Sequence, residues 1–223
     1  MDQMVRALVV GASGGIGKAL VHELRHQGEA VTGLSRSADQ LDITDEQSII
    51  DALWRLDGPF DRIIVATGAL SGGPVSPEKA IRDLVPSAIA AQFALNATGP
   101  ALVLKHALRL MPKDRRSVFA ALSARVGSIG DNQLGGWYSY RASKAALNQL
   151  IHTAAIELAR SHKQAICCTL HPGTVATAFT ENYRSFPMVP AAEAASNLLS
   201  VMDRLSVSDT GGFFDWAGKE VIW

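Results

Sequence analysis

The chain has 223 residues, 48% hydrophobic and 19% charged, with lysine plus arginine and aspartate plus glutamate equal at 21 each. It exceeds the roughly 150 residues usual for one domain, but open α/β sheets of this size still share one core, so a single domain over residues 1–223 is expected. The composition is too apolar for a disordered chain, and a zero net charge gives no field to attract nucleic acid or an anionic membrane, so the expected partner is a small molecule.

In chain order, Arg6 to Val10 reads as a strand. Its apolar run from Ala7 to Val10 is four residues long, too short for a signal-peptide core or a membrane span, so a cytoplasmic location is expected. A helix over Ile16 to Gln27 ends at Gly28, a strand follows at Ala30 to Leu34, and Thr44 is placed to cap a helix over Asp45 to Leu56. Then come a strand at Arg62 to Ala66, a long helical pair from Pro77 to Leu110, a strand at Ser117 to Leu122 and a helix over Trp137 to Ser161. A strand at Ala165 to Leu170, a helix over Pro190 to Leu205 and a strand at Gly212 to Trp216 complete the series. The alternation implies the α/β class: a Rossmann-type, doubly wound, mostly parallel sheet with helices on both faces and right-handed crossovers, expected to be seven-stranded with six of its strands placed here. Cys167 and Cys168 are neighbours in an apolar stretch, a poor geometry for a disulfide and the wrong spacing for zinc, so both are read as buried strand residues and no metal is expected. The polar segment Phe179 to Val189, with Pro187, reads as a loop over the active site.

The first strand leads into Gly11-Ala12-Ser13-Gly14-Gly15-Ile16-Gly17 and then a helix. Glycines let the backbone approach a pyrophosphate, and the helix N-terminus favours its negative charge, so this turn is a dinucleotide cradle. Glycine turns serve unrelated purposes elsewhere; the position after a first strand in a βαβ unit is what makes this one specific. The second strand ends in Ser35-Arg36 without an acid, where an acidic side chain would bind the ribose hydroxyls of NAD. Arg36 can instead pair with a 2′-phosphate, so NADP(H) is preferred and NAD(H) is the alternative, unless Arg36 is simply a solvated arginine.

Taken with Tyr140-Arg141-Ala142-Ser143-Lys144, the glycine turn makes the chain resemble the short-chain dehydrogenase/reductase family in its single-domain form, from Gly11 to about Trp216. Through Gly127-Ser128-Ile129 and Gly135-Gly136-Trp137-Tyr138-Ser139-Tyr140 it looks closest to C-factor-like proteins and sniffer-type carbonyl reductases. The resemblance implies that Asp42 meets the adenine amine and that Ala66-Thr67-Gly68 occupies a cofactor stretch where the family usually has two asparagines. It further implies that Asn96 holds a water linking the catalytic lysine to solvent. Pro172-Gly173-Thr174-Val175-Ala176-Thr177 would meet the nicotinamide carboxamide, through the Val175 backbone and the Thr177 hydroxyl, with His171 a strand-end residue. Relatives pair through helices that correspond here to Gly99–Leu110 and Ala145–Ser161, so a homodimer or homotetramer is expected, although Leu102, Leu104, Leu147, Leu150 and Ile151 could equally be core.

Hydride transfer to a carbonyl creates an alkoxide that needs a proton. Tyr140 can supply it, and Lys144, four residues on along the helix, stands on the same face, where an ammonium would lower the phenol's ordinary pKa of about 10. Such pairs are common on helix surfaces; the upstream glycine turn and Asn96 distinguish this one. A serine should polarise the carbonyl oxygen, and Ser123, directly after the apolar strand, is preferred to Ser128. Nucleotide-sugar epimerases share the Tyr-to-Lys spacing and fit Gly11, Gly14 and Gly17, but they need a substrate domain for which the roughly 80 residues after Lys144 leave no room. A non-catalytic dinucleotide sensor or signalling protein of the same fold is the other reading.

Overall fold

The computed structural model describes residues 4–70, 77–181 and 187–223. Its strands are β1 (Arg6–Val10), β2 (Ala30–Leu34), β3 (Arg62–Val65), β4 (Ser117–Leu122), β5 (Ala165–His171), β6 (Val175–Ala176), β7 (Val189–Pro190) and β8 (Phe213–Asp215). Six of them form one parallel sheet in the order β2-β1-β3-β4-β5-β8, while β6 and β7 make a small pair of their own. A sheet covered on both faces needs strands apolar on both sides, which is why all six residues of β4 are buried.

One face of the sheet is covered by α3 (Glu46–Trp54), α5 (Gly99–Ala107) and α6 (Tyr138–Ser161). Leu147, Ile151, Ala155 and Leu158 recur at helical spacing along α6 and pack there with Phe119 and Cys167. The other face is covered by α1 (Gly15–His26) and α7 (Ala191–Arg204), whose Leu20, Leu24, Leu198 and Met202 meet Val9, Ile64 and Cys168. Both cysteines are therefore free and fully buried in β5, as expected, and burial pushes both thiols up, Cys168 to about 12.

Among the described residues the sheet has six strands rather than the seven expected. Residues 35–45 join β2 to α3, and local bonds hold them in a helical turn, α2 (Arg36–Asp39). Ser35 Oγ accepts the Ala38 N–H at 3.2 Å and Asp39 Oδ2 accepts the Ser35 N–H at 2.7 Å, leaving β2 at the edge. The α3 cap is Asp45, not Thr44: Asp45 Oδ1 accepts the Gln47 N–H at 3.1 Å, while Thr44 gives its hydroxyl to Asp42 at 2.7 Å. Gly28, at φ +84°, does close α1.

The long helical stretch begins at Pro86 instead of Pro77. Ala80 and Asp83 first close a separate 3₁₀ turn, and Pro86 keeps Val85 extended at φ −123° and ψ 119°, so helix cannot run through it. The stretch then comprises α4 (Pro86–Phe93), a π-helical turn (Ala94–Thr98) and α5. Pro86–Leu110 is long and apolar enough to cross a membrane by length and composition, but Val103, Leu104 and Ala107 within it belong to the core.

The order of the sheet decides where a ligand can sit. From β1 the chain moves to one side for β2 and to the other for β3, so the crevice of an open α/β sheet falls beyond the C-terminal end of β1.

Candidate active site

Beyond β1, the glycine turn runs into α1. Gly11 stands at φ +91°, and a Cβ there would meet Ala66 O at 2.8 Å; a Cβ on Gly17 would meet Gly11 O at 2.1 Å. Gly14 caps α1 without a side-chain bond, and the helix's first turn carries no acid. The orphan N–H groups of the first turn and the bare backbone before it suit the diphosphate of a dinucleotide.

Two cavities meet this turn. A crevice of about 300 Å³ includes Gly15, Ile16, Ala66, Thr67, Gly68, Ser123, Tyr140, Lys144, Pro172, Gly173, Val175 and Thr177. A groove of about 740 Å³ along α1 includes Ser13 and Ser35. Gly11 and Gly17 build the turn between them. The residues just after β1, β3, β4 and β5 thus converge on one edge of the sheet, with the first two turns of α6 beside them.

Arg36 and Asp42 line neither cavity. Arg36 is exposed at the start of α2, and Asp42 Oδ1 accepts both the hydroxyl and the N–H of Thr44, bonds that hold its carboxyl below the ordinary range. An acid does stand in the groove: Asp39 lines it, with one oxygen bonded to the Ser35 N–H at 2.7 Å and its hydroxyl at 3.3 Å. Reading only the residues directly after β2 missed it.

Tyr140 and Lys144 are both buried, at 6% and 3% exposure, one helical turn apart. Lys144 Nζ lies 6.0 Å from the centre of the Tyr140 ring and donates to Leu122 O at 2.8 Å. Burial pushes the lysine down to about 7 and the phenol above its ordinary value, contrary to the expected lowering of the phenol by an ammonium. With both groups out of water, desolvation disfavours both charged forms, and a neutral phenol with a largely neutral amine is the resting pair above pH 7.

Asn96 is fully buried in the π-helical turn, an irregularity often found at functional positions. Its Oδ1 accepts the Ala69 N–H at 3.0 Å and its Nδ2 donates to Ala69 O at 2.9 Å and to Ser143 Oγ at 3.3 Å, with a further bond to Gln92. The Ser123 hydroxyl, beside the crevice, has no partner among the described residues, whereas Ser128 Oγ accepts the Asp131 N–H at 3.1 Å and lies outside the crevice. His171 ends β5, as expected, yet it also lines the crevice, and burial holds its imidazole down at about 4. Phe179 and Thr180 reach the crevice from the segment expected to cover the site; residues 182–186 lie outside the described residues.

A family model described as enoyl-(acyl carrier protein) reductase matches residues 11–211. The chain belongs to the short-chain dehydrogenase/reductase family. This short-chain dehydrogenase/reductase is an oxidoreductase. It is similar to the C-signal protein of Myxococcus xanthus, with 33% identity over 65% of this chain and 84% of that one. It is also similar to 1-hydroxy-2-glutathionyl-2-methyl-3-butene dehydrogenase of a Rhodococcus species, with 29% identity over 99% of this chain and 100% of the relative. Among solved structures, a Burkholderia multivorans short-chain dehydrogenase/reductase with bound NADP superposes with a TM-score of 0.85 at 26% identity, covering 99% of this chain and all of that one.

Proposed function

We propose that the protein is an NADP(H)-preferring carbonyl/alcohol oxidoreductase in which Tyr140 is the acid/base, assisted by Lys144, Ser123 and Asn96. The observation that carries this reading is the convergence of Tyr140, Lys144 and an unpartnered Ser123 hydroxyl on the crevice reached by the glycine turn. When bound, the dinucleotide supplies or accepts the hydride. Ser123 offers its hydroxyl proton to the carbonyl oxygen, where negative charge develops. Tyr140, protonated beforehand, gives that oxygen its proton, so carbonyl reduction consumes one hydride and one phenolic proton. Lys144 returns a proton to the phenol from solvent, through a water that Asn96 would hold.

The preference for NADP(H) rests on the absence of an acid directly after β2 and on the commitment of the nearby Asp39 oxygen to Ser35. The Burkholderia relative that binds NADP is consistent with it. A homodimer or homotetramer fits the exposure of Leu150 and Ile156 on α6, while Leu104, Leu147 and Ile151 are taken up by the core. The C-signal likeness favours a second reading, a dinucleotide-binding signalling protein without turnover.

The test is NADPH oxidation with a panel of aldehydes, ketones and quinones by wild type and Tyr140→Phe. Turnover that falls at least a hundredfold in Tyr140→Phe, with NADPH affinity retained, supports the enzyme reading. Substantial residual turnover removes Tyr140 from the mechanism.

A further inference from the structure

The first turn of α6 carries Tyr140, and its amides need acceptors. Trp137, at the N-cap position, cannot supply one from its side chain, since an indole only donates. Trp137 also stands at φ +51° after Gly135 and Gly136 at φ +63°, so the chain enters the helix through left-handed backbone that costs a non-glycine residue about 1–3 kcal/mol. A different part of the chain supplies the missing acceptor. Glu78 is buried at 7% exposure, and its Oε2 accepts the Ser139 N–H at 3.2 Å while Oε1 accepts the Ser139 hydroxyl. Its backbone carbonyl accepts the Trp137 N–H at 2.6 Å. One residue 61 positions away therefore holds both sides of the helix entry, and its carboxylate lies where the helix dipole favours negative charge.

We propose that Glu78 is a positioning residue for Tyr140: its carboxylate replaces the N-cap side chain of α6 and keeps the phenol in register with Lys144 one turn on. The proposal rests on Tyr140 being the acid/base. Ala69, after β3, is held separately by Asn96, whose Nδ2 also donates to Ser143 of α6. Loss of the carboxylate frees the Ser139 N–H in the first turn and leaves the second turn, with Lys144 on Leu122 O, in place.

The experiment compares wild type, Glu78→Ala and Glu78→Gln. Glu78→Ala should lower kcat by about two- to thirtyfold, the equivalent of one lost helix cap, with NADPH Kd and substrate KM within twofold. Glu78→Gln keeps an acceptor oxygen for Ser139 and should recover most of that loss. Hydrogen exchange at residues 138–141 should be about tenfold faster in Glu78→Ala and near wild type in Glu78→Gln, with residues 144–158 unchanged. Unchanged kcat and exchange in Glu78→Ala overturn the proposal, and so does a loss spread equally over kcat, NADPH affinity and exchange along the whole of α6. Exchange needs no turnover, so a wild type lacking Tyr140-dependent activity defeats the functional reading alone, while faster exchange confined to residues 138–141 still upholds the clamp.

Discussion

Lys144 gives the sharpest physical test of the site. Its ordinary pKa is 10.5, and burial brings it to about 7. At 1.36 kcal/mol per pH unit, that difference amounts to about 5 kcal/mol against the charged form in the folded protein. The sign follows from proton counting: between pH 7 and 10.5 the unfolded chain holds the lysine proton and the folded one does not, so stability rises with pH across that window. Below pH 7 the full penalty applies, and above 10.5 it vanishes. In Lys144→Met the penalty is absent at every pH, so the variant should exceed wild type by the widest margin near pH 6, and the margin should shrink by several kcal/mol toward pH 10. The bond from Nζ to Leu122 O at 2.8 Å offsets part of the penalty without changing its direction. Urea unfolding followed by tryptophan fluorescence from pH 6 to 10 measures the difference, and other titrating groups cancel between the two proteins. Parallel stability profiles from pH 6 to 10 would refute the claim that Lys144 is held neutral by burial.

The serine assignment predicts that Ser123→Ala lowers kcat by about a hundredfold, while Ser128→Ala, which loses only a turn contact, stays within a few-fold of wild type. A larger loss in Ser128→Ala reverses the assignment. If Arg36 recognises the 2′-phosphate, Arg36→Ala should weaken NADPH binding by about tenfold and leave NADH binding unchanged, measured as Kd by fluorescence titration. An unchanged ratio of the two constants returns Arg36 to the role of a solvated arginine.

What was legible in the sequence was local. The glycine turn declares itself because Gly11 and Gly17 must approach other backbone within a few residues, and β4 because a strand buried on both faces is apolar throughout. Tyr140 and Lys144 follow from one helical turn. The sheet's strand count was not legible: whether residues 35–45 form another strand or a capped turn depends on bonds such as that from Ser35 to Asp39, for which composition is no guide. Nor was the balance at Tyr140 and Lys144, since spacing brings the two groups together but says nothing of the burial that opposes their charges. Glu78 and His171 were missed or under-read for a related reason. A glutamate in a polar stretch looks like surface until the fold lays it against a helix entry 61 residues later.

The two edges of the sheet carry different duties, and this too can be tested. Because the six strands are parallel, their C-terminal ends share one edge, and the residues following β1, β3, β4 and β5 form the crevice there. The strands begin at the opposite edge, where Arg62 at the start of β3 meets Glu29 at 3.0 Å and Asp203 at 2.7 Å. The Glu29 side chain is 7% exposed, and burial raises its carboxyl against the lowering influence of Arg62, so the arginine is what keeps a buried charge tolerable. Arg62→Met strands Glu29 and should cost about 3–5 kcal/mol in urea unfolding at pH 7. Protonating Glu29 should recover part of that cost, so the gap from wild type narrows as pH falls toward 5. Dinucleotide affinity should stay at the wild-type value, because none of the described residues at the starting edge lines the crevice. A loss of NADPH binding in folded Arg62→Met would break the division between the edges.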